Sequence, residues 1–299
     1  MTWGRETDEH EAAEILDLYM GAGGNYLDTA GFFAEGRAEL IVGKVLHGFD
    51  RDALVVASHA GVRASEERRI DCSRVHLLRA LDESLRRMNL EYLDVWYVDR
   101  YDPLTPVDEV LMTMDLAVRS GRVRYLGVGN YSGWQLAEIA ALAPASLPII
   151  ASSAEYSLVQ RGIEREHLPA AQHFGIAVVP WSPLGRGVLT GKYRSGVPAD
   201  SRGASPQWSR FVQSHLNPEG RRIVEAVATA ASGLGLAPID IALAWLRRRT
   251  GTMASLLGPR TVGQLRAALG TVDLHLPDEL LEALNDVSAL IRTYPDPTV

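Results

Sequence analysis

Three titratable side chains stand where short apolar runs give way to loops. Asp28 closes NYLD (25–28), His59 follows LVVAS (54–58), and Asp99 follows YLDVWYV (92–98). A carboxylate beside an imidazole selects one ring tautomer and raises its basicity. A second carboxylate nearby works as acid or base according to what its neighbours do to its pKa. Proton transfer is therefore the chemistry on offer. One histidine and two aspartates also suit a divalent cation, but no second histidine falls at the end of a run, so no metal is expected. A solvated polar rim is the blander alternative.

Two later loops read as anion sites. SPLGRGVLTGK (182–192) sets Ser182, Pro183, Gly185 and Gly187 beside Arg186 and Lys192. Glycines there let backbone N–H groups approach a phosphate closely. GPRTVGQLRAAL (258–269) places Arg260 and Thr261 at the start of a helix, whose dipole favours an anion. Two ordinary turns with a solvated arginine would look much the same.

The elements that must position these residues alternate along the chain. Further strand-like runs are VRYLGVG (123–129), PIIAS (148–152), IAVVPW (176–181) and ASLL (254–257). Between them lie helical patterns: HEAAEILDLYMGAG, SRVHLLRALDESLRRM with Ser73 as cap, and PVDEVLMTMDLAVRSG with Pro106 in its first turn. SGWQLAEIAAL, PIDIALAWLRRR and TVGQLRAAL continue the series. Strands alternating with helices require a parallel sheet, because each parallel connection needs a long crossover. Seven runs, with Met1–Trp3 as the stub of an eighth, favour a (β/α)8 TIM barrel as a single domain over 1–299. An open doubly wound sheet would be favoured by GxGxxG after its first strand, and none is present. In a barrel the chemistry gathers at the C-terminal strand ends, where Asp28, His59 and Asp99 share one mouth.

Composition narrows the classes. The 299 residues are 46% hydrophobic and 22% charged, ordinary for a folded domain. The net charge of −7 offers no basic excess to track nucleic acid. Cysteine occurs once, at Cys72, so no internal disulfide or multi-cysteine metal site is available. The N-terminus shows no signal pattern, and no apolar run approaches the ~18 residues that span a bilayer. A cytoplasmic protein acting on a small molecule, without membrane or nucleic-acid partners, is the expectation.

Longer segments carry a resemblance. DTAGFFAEGRAELIVGK, SLRRMNLEYLDVWYVDRYDPLTPVDE, LGVGNYSGWQL, PWSPLGRGVLTGKY and GPRTVGQL resemble the motifs of the aldo-keto reductase superfamily over nearly the whole chain. The resemblance implies a (β/α)8 barrel binding NADP(H). It also implies carbonyl reduction by Asp, Tyr, Lys and His. Only Asp28 keeps its type. Phe33 stands at the Tyr position, His59 at the Lys position and Asp99 at the His position. Phenylalanine has no proton to give. At the nicotinamide end the family's Ser is Gly129 and its Gln is Ser153. In the adenosine loop its Glu-Asn is Ala267-Ala268. The positions retained for cofactor are Asn130, Trp181, Ser182, Leu184, Gly187, Lys192, Arg260 and Gln264. The resemblance thus leaves NADP(H) binding possible, in a weakened form, or absent.

Three functions follow. One is acid–base chemistry by Asp28, His59 and Asp99, such as dehydration, isomerisation or cyclisation of a small metabolite. Another is NADP(H)-dependent reduction with a shifted acid, in which a protonated Asp99 polarises an enone or carbonyl. The third is a non-catalytic relative that binds NADP(H) or a metabolite. Phe33, Tyr101 and Trp208 are candidates for the substrate pocket, Trp208 and Phe211 from the long polar stretch 194–218. Tyr101 could also supply the phenol that Phe33 lacks. Aligned to the family, the chain lacks the N-terminal hairpin and most of strand one. An open seam there would expose strand edges and favour a homodimer.

Overall fold

The computed structural model describes residues 1–63, 69–199, 201–206, 208–249, 251–252 and 254–291. Six parallel strands form one curled sheet in the order of the chain. They are β1 (Tyr26–Ala30), β2 (Val55–Ala60), β3 (Leu93–Val98), β4 (Val123–Gly129), β5 (Ile149–Glu155) and β6 (Ala177–Trp181). Most strand positions in β2, β3, β5 and β6 are buried on both faces, which is why these strands read as continuous rather than alternating patterns, while β4 exposes Arg124 and Tyr125.

Helices fill the crossovers: α1 (Glu9–Gly21), α2 (Arg37–Leu46), α3 (Arg74–Met88), α4 (Val107–Arg119), α5 (Gly133–Leu142) and α6 (His167–Phe174). After β6 come α7 (Ser209–Gln213), α8 (Pro218–Leu234), α9 (Pro238–Arg247), α10 (Val262–Leu269) and α11 (Asp278–Val287). Local chemistry sets their ends. Asp8 accepts the Glu11 N–H to start α1. Asn217 accepts from Gly220 ahead of Pro218 to start α8, and Gly235 at φ +68° stops it. In α3, Leu77, Leu81, Leu85 and Met88 recur on one face and are buried.

Two cores result from the two-residue period of a strand. Outward side chains such as Val56, Trp96, Val98 and Leu126 meet the helices. Inward ones form a separate small core of Ala57, Val95, Tyr97, Ala151 and Val179. The register places Ala30 beside His59 and His59 beside Tyr97. Gly127 lies beside Tyr97, and Gly129 beside Ser153. Inward positions near the strand ends therefore build the floor of one mouth.

The architecture is that of a (β/α)8-type barrel with fewer strands. Among the described residues, 254–257 does not form the expected strand. The run touches β6 through one isolated bridge, Leu256 to Trp181, and Thr252 ahead of it makes another, to Val178. Main-chain pairing there rests on the Leu256 N–H to Pro180 O bond at 2.7 Å and the Val178 N–H to Gly251 O bond at 3.2 Å. Met1–Trp3 adds no strand to the sheet; Trp3 bridges Thr7 nearby. Two helix starts also differ. Ser73 caps α3 without a side-chain bond, and the Arg74 N–H goes instead to Glu109 Oε1 at 2.9 Å. Pro106 sits one residue before the first turn of α4. Among the described residues, no single helix is long and apolar enough to cross a membrane.

Candidate active site

His59, near the end of β2, is held from both sides. Its Nε2 lies 2.9 Å from Asp28 Oδ2 on β1, and its Nδ1 lies 2.8 Å from Asp99 Oδ1 just beyond β3. The His59 side chain is 5% exposed, against 12% for Asp28 and 9% for Asp99. Burial alone would push the imidazolium pKa down. The charge and hydrogen bond of Asp28, then the bond and charge of Asp99, overcome that and raise it from 6.5 to about 10. Both carboxylates thus favour the imidazolium, the form in which each ring nitrogen donates. The imidazole sits between two carboxylates, and Arg100 pairs with the second oxygen of Asp99. Asp28 Oδ1 has no hydrogen-bond partner among the described residues, so the surplus basic oxygen sits on Asp28.

The ring rests on Tyr97, stacked at 4.5 Å with an 11° interplanar angle. An imidazolium over a phenol face gains from the ring quadrupole. Tyr97 Oη pairs with Tyr26 Oη at 2.8 Å, and burial raises both phenol pKa values, so both stay neutral.

On the other side of Asp99 stands Asn130, in left-handed backbone at φ +56°. Its Nδ2 donates to Asp99 O and Oδ1, each at 3.3 Å. Its Oδ1 accepts the Trp181 Nε1–H at 2.9 Å. Arg100 Nε lies 3.5 Å from the second oxygen of Asp99.

At the ends of β5 and β6, a second ion cluster ties down a loop. Arg186 grips Glu155 with two bonds, Nε to Oε1 at 2.7 Å and Nη2 to Oε2 at 2.5 Å. Its Nη1 reaches Phe211 O at 2.5 Å, and its guanidinium lies 3.6 Å over the Phe211 ring. His215 Nε2 adds a contact to Glu155 Oε1 at 3.2 Å. Burial pushes the Glu155 pKa up, but His215 and Arg186 outweigh it and the net shift is downward. Phe211 lies parallel to Trp181 at 6.4 Å, and Trp208 meets Phe211 edge-on at 5.8 Å. Trp208 and Phe211 are thus packed toward the β6 end, and Arg186 is not open to an anion.

The dinucleotide positions divide. Ser182 is in left-handed backbone at φ +52°, as is Gly187 at φ +92°. A side chain at 187 would press on Lys192 Nζ at 3.3 Å, so Gly187 leaves that ammonium its place. Lys192 is exposed, and no carboxylate pairs with it among the described residues. Leu184 packs on the core. Thr261 caps α10, and Gln264 Oε1 accepts the Arg260 N–H at 2.8 Å. The Val262 N–H already bonds Glu11 Oε1 at 2.6 Å. Arg202, which sequence reasoning passed over, lies within Coulombic reach of Arg260 and Glu6; burial lowers its pKa. At the positions aligned with the nicotinamide end, the Asn130 amide bonds Asp99 and Trp181, and Gly129 and Ser153 carry no amide side chain.

Phe33 sits in a tight turn, edge-on to Phe32 at 5.0 Å, followed by Ala34 and Glu35 in left-handed backbone. Arg87 supports that turn. A side chain at Gly31 would meet its Nη2 at 2.7 Å, while its Nε bonds the buried Glu39 at 2.6 Å. Tyr101 turns away. It packs edge-on against Tyr131 and Trp134 and lines an outer groove with Pro103, Leu104 and Glu138. No contact joins Tyr101 to Asp28, His59 or Asp99, so it does not bring its phenol to the trio. Cys72 is buried, with Sγ 3.2 Å from Arg100 O. Among the described residues, no group of three or more His, Cys, Asp and Glu side chains is disposed to hold a metal ion.

Comparison with known proteins places these features. A family model described as the aldo/keto reductase family matches residues 1–289. A rice protein (Oryza sativa subsp. japonica) named as a probable voltage-gated potassium channel subunit beta is 31% identical over 304 residues. The match covers 100% of this chain and 92% of the rice protein.

Proposed function

The chain belongs to the aldo/keto reductase family, and from that premise we propose that its mouth performs acid–base chemistry on a small polar metabolite. The observation that carries this reading is the double clamp on His59, with Asp28 at 2.9 Å and Asp99 at 2.8 Å. Phe33 supports it, since a phenyl ring cannot supply the proton that carbonyl reduction needs.

Asp28 is the base, through its free Oδ1. His59, held as imidazolium, stabilises the carboxylate when it is charged and stays paired to Asp99 when Asp28 is protonated. In a dehydration, Asp28 takes the proton from the carbon beside a carbonyl. It then returns that proton to the departing β-hydroxyl, and water leaves. In an isomerisation the proton returns to a different carbon. Neither route needs an oxidant or a reductant. The family generally binds NADP(H). A dinucleotide here would be held by the anion loops, Lys192 and Arg260.

The test is a panel of small β-hydroxy aldehydes and ketones in D2O, followed by NMR with and without NADPH. Exchange or dehydration independent of NADPH, and lost in Asp28→Asn and His59→Ala, is expected. NADPH consumption that survives in both variants would overturn the reading. A second reading rests on the rice relative, whose name describes a channel subunit. A chain of that kind would bind its ligand and show no turnover with any member of the panel.

A further inference from the structure

Resting on the acid–base reading, we propose that the end of β4 is the positioning surface of the clamp, with Asn130 and Gly129 aiming Asp99 at His59. Asn130 is assigned here to Asp99, not to a cofactor. Its amide is bracketed: Trp181 Nε1 fixes its Oδ1 at 2.9 Å, which turns Nδ2 toward Asp99. Asparagine tolerates the left-handed backbone at this position better than most residues.

The glycines of VRYLGVG complete the surface. A side chain at Gly129 would stand 2.7 Å from Asp99 Oδ1 and 3.1 Å from Asp99 Cα. A side chain at Gly127, two residues back on the same inward face, would stand 2.4 Å from Tyr97 Cε1. Two bare positions on one face of β4 therefore admit the two groups that hold His59, a carboxylate against Nδ1 and a phenol ring beneath the imidazole.

The effect is one of aim more than of charge. At 3.3 Å the Asn130 bonds are long, and they stabilise the carboxylate only weakly. Arg100 Nε, 3.5 Å from Asp99 Oδ2, is a competing partner. Without Asn130, or with a methyl group at 129, Asp99 turns toward Arg100 and leaves His59 Nδ1.

The test is nitrogen and proton NMR of the His59 ring in the wild type, Asn130→Gly and Gly129→Ala. Glycine at 130 removes the amide without straining the left-handed backbone. Both variants should lower the His59 pKa by about one unit or more. Both should move the Nδ1 proton upfield and leave the Nε2 proton facing Asp28 in place. Trp181→Phe, which keeps a ring but removes the donor to Asn130, should give a smaller shift in the same direction. That variant carries the test should the other two misfold. A raised wild-type pKa left unmoved in these variants would overturn the inference alone. A wild-type His59 titrating near 6.5 would overturn the acid–base reading and this inference with it.

Discussion

Two ion clusters stand at the strand ends, one at β1–β3 and one at β5–β6, and they are built with opposite arrangements. The first sets one imidazolium between two carboxylates, Asp28 and Asp99. The second sets one carboxylate, Glu155, between a guanidinium and an imidazole. In the first, an oxygen of Asp28 is left without a hydrogen-bond partner among the described residues. In the second, Glu155 is bound by Arg186 through both oxygens, and the excess donors reach into the 208–215 loop. A buried cluster with a spare acceptor can do proton chemistry. A cluster whose acceptor is saturated closes structure. The residue types are similar; the arrangement separates the roles.

The largest expected break comes from His59→Ala. Removing the cation between Asp28 and Asp99 leaves two carboxylates facing each other, and losing a partner from a buried pair costs about 3–5 kcal/mol. The remaining carboxylates would have to take up a proton, so the variant should be relatively more stable at pH 5 than at pH 8. Urea unfolding at the two pH values checks this. Arg186→Met should cost less, about 2–3 kcal/mol, by removing a charge-assisted bidentate contact and the contact with Phe211. Faster proteolysis within 194–218, with the His59 pKa unchanged, would show that the second cluster only closes structure. A matching fall in the His59 pKa would collapse the distinction.

The pH limits of stability should divide in the same way. The folded pKa of His59 lies above its unfolded value, so the stability it contributes is complete below about pH 6.5. It is lost as pH rises through about 10. Glu155 has a lowered pKa, so its contribution is present above the ordinary carboxylate value of 4.5 and disappears as pH falls through the folded value. Melting temperature against pH for the wild type, His59→Ala and Glu155→Gln should show the alkaline slope flattened in the first variant and the acid slope in the second. The smallest effect is expected from Phe33→Tyr. It restores a phenol but leaves His59 and Asp99 paired, so no NADPH-dependent carbonyl reduction should appear. Its appearance would mean that the mouth still presents a hydride.

The trio was legible because parallel strands buried on both faces read as apolar runs, and the residue at the end of each run is easy to name. Asp28, His59 and Asp99 could be brought to one mouth from that pattern alone. The stretch 254–257 looks the same as the others, yet it meets β6 only through an isolated bridge. A short apolar run does not declare which edge, if any, will pair with it. The partners of Arg186 were hidden for a similar reason. An arginine between glycines reads as an anion site until the fold brings Glu155, 31 positions away, against it. The bonds of Asn130 to Asp99 and Trp181 could not be read from the sequence, since they depend on the residue that occupies 99 and on a ring 51 positions away. The glycine pair 127 and 129 was visible as spacing, but its meaning needed the side chains of β3 beside it.

The central claim is that the mouth holds a doubly donating imidazolium beside a carboxylate, Asp28, with a spare oxygen. A pH titration of His59 by nitrogen NMR in the wild-type protein tests it most directly. Both ring nitrogens should be protonated at pH 8, with a midpoint near pH 10. A neutral ring at pH 8, with one nitrogen unprotonated and a midpoint close to the ordinary histidine value, would contradict it.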